Sequence, residues 1–341
     1  MNDALAYIVS EEAFPLHSLA REDEEEQEEE AEEKSCSCAK SVRASDLWTK
    51  ADTGDLVDDD LLEGWAAGVS KVMREQAREI AAAIRREPVP TRQTVDAAMK
   101  LLRESKWNAE LVQAMQPYMS RALRFGAELG KSTVMQIAKS RVVAEIGWTS
   151  DELKEYVERA SVRLSSDIAG GVNDTTEVRL RDLIGDGIEK GEDSRQLATR
   201  IEDWIDESDE DDETIRNRAR TIARTEAARA SSTAEQDAWR STGIVKGKTW
   251  LLAPDPCPFC EAAAEEFGTQ AVDLDEPFYR KGDVLTAGDK SITLDYSDVN
   301  GPPLHPNCRC ATQPELVDDY QDIAEEAVRR IRGEKPRKIE A

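Results

Sequence analysis

Apolar residues recur at helical spacing from Asp59 onward. Leu61, Leu62, Trp65, Val69, Val72, Met73, Ala77, Ile80, Ala81 and Ile84 form one stripe, which predicts an amphipathic helix. Pro88 and Pro90 close it, because proline lacks a donor and clashes with the preceding turn. Thr91 is placed to cap a second helix carrying Val95, Ala98, Met99, Leu101 and Leu102. Helical spacing continues over 108–125, with Pro117 as a break or kink, and again over 128–146. Thr149-Ser150-Asp151-Glu152 has the form of a capping box before Leu153, Tyr156, Val157, Ala160 and Leu164, and Gly170-Gly171 is the expected end of that helix. Two more helices are expected at 174–189 and 194–206, the latter capped by Ser194 with Leu197, Ile201, Trp204 and Ile205 on one face. A long helix over 214–240 stops near Gly243.

After Gly243 the texture changes. Residues 248–252 read as a strand, 253–314 predict turns and short strands, and 317–332 predict a final helix. The expected fold class is α+β, a mostly helical body with a small β-rich C-terminal lobe. The expected division is a flexible acidic segment at 1–58, a helical domain at 59–206, a long helix plus β-rich lobe at 207–316, and a helix with a charged tail at 317–341.

Charge changes this picture. The 341 residues carry 71 Asp plus Glu against 45 Lys plus Arg, a net charge of −26. Residues 22–33 are almost wholly acidic and hold too little apolar area to fold alone. So acidic a chain does not coat nucleic acid by bulk attraction. Arginine outnumbers lysine, 29 to 16. The acidic surplus with scarce lysine points to a high-salt, halophilic setting, where self-repulsion is screened within a few ångströms. There is no apolar run of membrane-spanning length and no basic-then-apolar leader at the start, so the expected setting is a cytoplasm or the inside of a virion.

Six cysteines stand at 36, 38, 257, 260, 308 and 310, and only two histidines are present. Cys36 and Cys38 have no His or further Cys nearby. Cys257 and Cys260 form a C-x-x-C turn, and His305, Cys308 and Cys310 follow as H-x-x-C-x-C. The first pair with two of the last three could hold Zn²⁺ tetrahedrally as a structural cofactor. Buried thiols, or disulfides in an oxidising setting, are the alternatives. His305 reads as a loop or metal residue rather than a catalyst. Arg224 and Glu226, two apart on a helix, face different sides and seek partners elsewhere. No G-x-G-x-x-G, Walker A loop or H-E-x-x-H is present.

Three blocks stand in order: Arg224-Thr225-Glu226, Asp255 to Cys260 (DPCPFC), and Pro302 to Cys310 (PPLHPNCRC), with Trp250 in the strand between the first two. Together they resemble the phage head-morphogenesis family typified by protein F of phage Mu. The likeness covers about 215–314, with looser helical similarity upstream. Arg224, Thr225, Glu226, Trp250, Asp255, Cys257 and Cys260 fall on the family pattern, with one residue fewer between Asp255 and Cys257. Pro303, His305, Asn307, Cys308, Arg309 and Cys310 complete it. The resemblance implies a non-enzymatic minor head protein of a tailed virus. It would act in head assembly, portal association, and genome packaging or ejection. The implied partners are portal protein or major capsid protein, with at most minor contact to genomic DNA and none to membrane. The implied location is the capsid interior or portal vertex, reached through the host cytoplasm. Two other readings use the same residues: a nucleotide-using enzyme of ADP-ribosyltransferase type built on Arg224 and Glu226, and a zinc-clasped adaptor.

Overall fold

The computed structural model describes residues 59–86, 89–140, 142–206, 215–295 and 297–335. The acidic N-terminal segment, Cys36 and Cys38 lie outside the described residues. The chain runs α1 (Asp59–Arg85), α2 (Arg92–Leu102), α3 (Ser105–Ala138), a 3-10 turn (Val142–Glu145), α4 (Ser150–Glu189), α5 (Ser194–Asp206), α6 (Ile215–Thr242), β1 (Val245–Leu251), α7 (Pro258–Phe267), β2 (Val272–Asp273), β3 (Val284–Ala287), β4 (Lys290–Thr293), β5 (Ala311–Leu316) and α8 (Tyr320–Ile331). It is an α+β protein, mostly helical.

The apolar stripes dictate the bundle. Trp65, Val69, Met73, Ile80 and Ile84 of α1 meet Leu111, Met115 and Leu123 of α3, Ile168, Val172 and Leu180 of α4, Leu197 and Ile201 of α5, and Ile222 and Ala223 of α6 in one core. Two expected caps form: Thr91 and Thr94 bond reciprocally at the start of α2, as do Thr149 and Glu152 at the start of α4. At α5 the cap is Asp193 rather than Ser194. Its Oδ1 accepts from the Arg195 and Gln196 amides at 2.8 and 2.9 Å, and Ser194 is buried.

Two expected breaks do not occur. Pro117 lies inside the 34-residue α3, and Gly170-Gly171 lies inside the 40-residue α4. Pro117 and Gln113 are both exposed, so the carbonyl freed by the missing donor faces water. Met115 and Met119 are buried on either side and hold the helix together. In α4, buried Ile168, Ala169 and Val172 do the same across the glycines. Conversely, α7 forms where only turns and strands were expected.

The lobe contains a three-stranded antiparallel sheet, ordered β2-β1-β5, and a β3–β4 hairpin. Its own core gathers Trp250, Phe259, Phe278, Leu285, Ile292, Leu304, Cys260, Cys308 and Cys310. A third cluster joins lobe to bundle: Val134 and Ala138 of α3, Trp239 of α6, Ile244, Val245, Leu274, and Ala324 and Val328 of α8.

The long helix α6 is packed on two sides. Toward α3 it presents Ala227, Ala230, Ser231, Ala234 and Ala238, all buried. The fit is close because α3 offers glycine: a Cβ on Gly130 would lie 2.5 Å from the Glu235 carbonyl oxygen, and one on Gly126 would collide with the backbone of Ser231. Ser231 Oγ donates to the Ala122 carbonyl at 3.0 Å, and Trp239 Nε1 to the Gly130 carbonyl at 3.2 Å. On another side, Thr225, Ser232 and Gln236 meet the lobe.

Candidate metal centre

The site starts with two tight pieces of backbone. Cys257 is the N-cap residue of α7 and Pro258 the first helical residue, a position that suits its fixed φ and missing donor. Cys257 and Cys260 therefore share the first turn of α7. The second piece is the turn His305–Cys308, closed by the Cys308 amide on the His305 carbonyl at 3.1 Å. It needs a left-handed residue, and Asn307 takes that role at φ 60°. Cys310 stands immediately before β5.

These pieces bring all five expected ligands together. His305 Nε2 lies 3.0 Å from Cys257 Sγ and 3.2 Å from Cys260 Sγ, and Cys260 Sγ lies 3.6 Å from Cys308 Sγ. Two triplets of donor atoms, Cys257–Cys260–His305 and Cys260–Cys308–Cys310, each fall within 4.8 Å and share Cys260. All four cysteines are free thiols, three of them buried. A tetrahedral zinc with bonds of about 2.3 Å to sulfur sets neighbouring sulfurs roughly 3.8 Å apart, close to the Cys260–Cys308 separation.

The electrostatics suit a cation. Hydrogen bonding to Cys260, opposed by burial and aided by His305, holds the Cys257 thiol down to about 4. Contacts with Cys260 and Cys308, then the Ala253 amide and the Trp250 indole, hold Cys310 down to about 3. Cys260 is pushed far up by Cys257 and its other thiol neighbours. For Cys308 the Cys260 contact lowers the pKa, but Cys310 and burial together carry it up to about 12. Four thiols packed this closely cannot all ionise without a neutralising charge, and a divalent cation would supply it. Burial works against a charged His305 ring, yet Cys257 and the Pro306 carbonyl raise its pKa. The 2.8 Å contact of Nδ1 with the Pro306 carbonyl places the ring proton there and leaves Nε2 toward the cysteines as an acceptor.

The remaining motif residues support this cluster from outside. Asn307 donates its amide to Thr225 Oγ1 at 3.4 Å and accepts from Arg224 Nη1 at 3.5 Å through its side-chain oxygen. Arg309 donates to the Pro254 carbonyl at 3.4 Å, tying the loop to the C-x-x-C turn. Asp255 holds that turn at φ 53°, Pro303 is buried after a cis Pro302–Pro303 bond, and Trp250 packs edge-on to Phe278. Glu226 is buried and accepts from Arg229 at 3.2 and 3.3 Å. A cavity of about 150 Å³ lies between α6 and the 294–306 loop, with Thr225, Arg229, Ser232, Gln236, Asp298 and His305 among its lining. Arg224 and Glu226 are not on its wall.

Sequence reasoning missed Lys248. Its ammonium is buried in the lobe and donates to Gln236 Oε1 and the Leu274 carbonyl, each at 3.1 Å, and burial pushes its pKa down to about 8. Strand alternation would have found it, since Lys248 shares a face with Trp250.

The described residues thus form a helical body carrying a Cys/His-centred β lobe, with the R-T-E segment of α6 seated on its H-P-N-C loop. Residues 178–313 match the family model described as Phage Mu protein F like protein. The likeness read from the three motif blocks therefore stands, and it reaches back into the second half of α4. No curated protein and no solved structure matches the chain. Among the described residues, no helix is long and apolar enough to cross a membrane.

Proposed function

We propose that this chain is a minor head protein of a tailed virus, with a structural rather than catalytic role in head assembly. What carries the reading is the match over 178–313, within which the DPCPFC turn meets the PPLHPNCRC loop and that loop in turn seats on the R-T-E segment of α6. Residues 59–206 would supply a helical body that binds portal or major capsid protein. Residues 207–316 would form the Mu F-like part. The location would be the capsid interior or portal vertex. Pull-down with portal and major capsid proteins, and mass spectrometry of purified particles, test this. Co-purification with either protein and presence in particles is the expected result; absence from both overturns the reading.

The Cys/His cluster is proposed to hold one structural Zn²⁺. Such a metal would add folding energy where a small lobe has few apolar residues. Metal analysis of purified chain is expected to give about one equivalent, as the four-coordinate donor set implies. The halophilic setting inferred from charge is also a proposal, and its test is dilution into low salt. The enzyme reading has weaker support, because the Arg224 and Glu226 it depends on lie off the cavity wall and are engaged by Asn307 and Arg229.

A further inference from the structure

The metal-ligand loop is also the surface by which the lobe sits on α6. The segment from Gly301 to Asn307 runs along the helix in the opposite direction. Gly301 packs so closely that a Cβ there would lie 2.6 Å from Ser232 Oγ and would collide with the Gln236 amide. Six residues later, Asn307 reaches Thr225 and Arg224. Asn307 sits between two candidate ligands, His305 and Cys308, and its backbone is fixed in the left-handed region by the turn those ligands close. Thr225 is itself buried, so its hydroxyl is presented from a fixed position.

We propose that loading a soft divalent cation of the zinc class on four donors of the Cys257, Cys260, His305, Cys308 and Cys310 cluster and docking this loop on Arg224-Thr225 are a single coupled event. The R-T-E segment is then the receptor for the metal loop. This rests on reading the cluster as a metal site. The physical ground is linkage. A loop that pays its ordering entropy by docking on α6 binds metal more tightly, and metal that orders the loop favours docking by the same factor. The Gln236 end of the interface does not depend on the metal, because Lys248 and the Trp239 cluster hold it separately. The coupling therefore acts on the Arg224–Ser232 half.

The test uses residues that touch no ligand atom. Zinc affinity of the full chain is measured by competition with a chromogenic chelator, for the native protein and for Thr225→Val, Arg224→Ala, Thr225→Ser and Arg220→Ala. Thr225→Val and Arg224→Ala are expected to weaken zinc binding by about three- to ten-fold, the worth of one hydrogen bond, at unchanged stoichiometry and circular dichroism. Thr225→Ser restores the hydroxyl and the affinity. Arg220→Ala, which removes an exposed pairing with Glu63 of α1, leaves affinity unaltered. Native-like zinc affinity in both Thr225→Val and Arg224→Ala overturns the coupling. A native chain that binds no stoichiometric zinc overturns the metal reading instead, a separately visible result.

Discussion

At the scale of single residues, Cys260 is the most exposed to test. It is the one sulfur shared by both donor triplets, whereas each other ligand belongs to one. Cys260→Ser is therefore expected to reduce zinc retention in chelator competition more than the same change at Cys257, Cys308 or Cys310. Glu235 offers a different test. Burial alone lifts its carboxyl from 4.5 to about 8, so it is protonated in the folded chain at neutral pH. Between those two values the folded state binds more protons than the unfolded state, and stability falls as pH rises through that window. Glu235→Gln keeps the shape and removes the titration. Its melting temperature is expected to match the native protein below pH 4 and to exceed it at pH 9, by an amount reflecting on the order of 5 kcal/mol. Parallel melting curves at both pH values would show that the carboxyl is not held protonated. Such buried groups were not legible in the sequence. Glu235 lies in a helix whose alanines gave no warning that this side meets the glycines of α3. Lys248 was legible in principle through alternation and was passed over among its charged neighbours.

At the scale of elements, glycine has opposite meanings at two places. Gly126 allows α6 to approach, and any Cβ there meets the Ser231 backbone, which is not a flexible side-chain end. Gly126→Ala gains helix propensity of about 1 kcal/mol but forces the helices apart at a cost of about 1–3 kcal/mol or more. Gly185, in α4, has nothing within 4 Å of the corresponding position. Gly185→Ala is expected to stabilise by about 1 kcal/mol. Thermal or urea unfolding of the two variants should move in opposite directions. The same contrast explains what the sequence could deliver. Helices with clean stripes, α1, α2 and α5, were readable from Trp65, Met99 or Trp204 and their neighbours, because burial of one face decides them. Pro117 and Gly170-Gly171 misled because a local breaker loses when both flanks are packed. Helix α7 was hidden because Asp255, Pro256 and Pro258 look like a turn, although Pro258 in fact opens the helix. The five candidate ligands were legible as spacing. Which of them face one another, and that Asn307 seats on Thr225, was not, since no local pattern records a contact across 82 residues.

At the scale of the whole molecule, charge and packing make separate contributions. Bundle ion pairs such as Arg85–Glu202, Lys106–Glu79 and Lys190–Asp186 are largely exposed. Each contributes about 0–1 kcal/mol and less in salt. With a net charge of −26, self-repulsion grows as salt is removed. If the high-salt reading holds, helical circular dichroism is expected to fall when the protein is dialysed to millimolar salt and to return on adding it back. A signal that stays native throughout counts against that setting.

The two-sided packing of α6 also has a mechanical consequence. Its 28 residues form a rod about 42 Å long. One flank is gripped by α3, and the other bears the lobe at Arg224–Thr225 and at Gln236, twelve residues or about 18 Å apart. A pull on the lobe along the rod loads both anchors at once, in shear. A pull across it loads them in turn and opens one end first. The chain should thus resist tension far better in one direction than in the other, with α6 as the grain of the material.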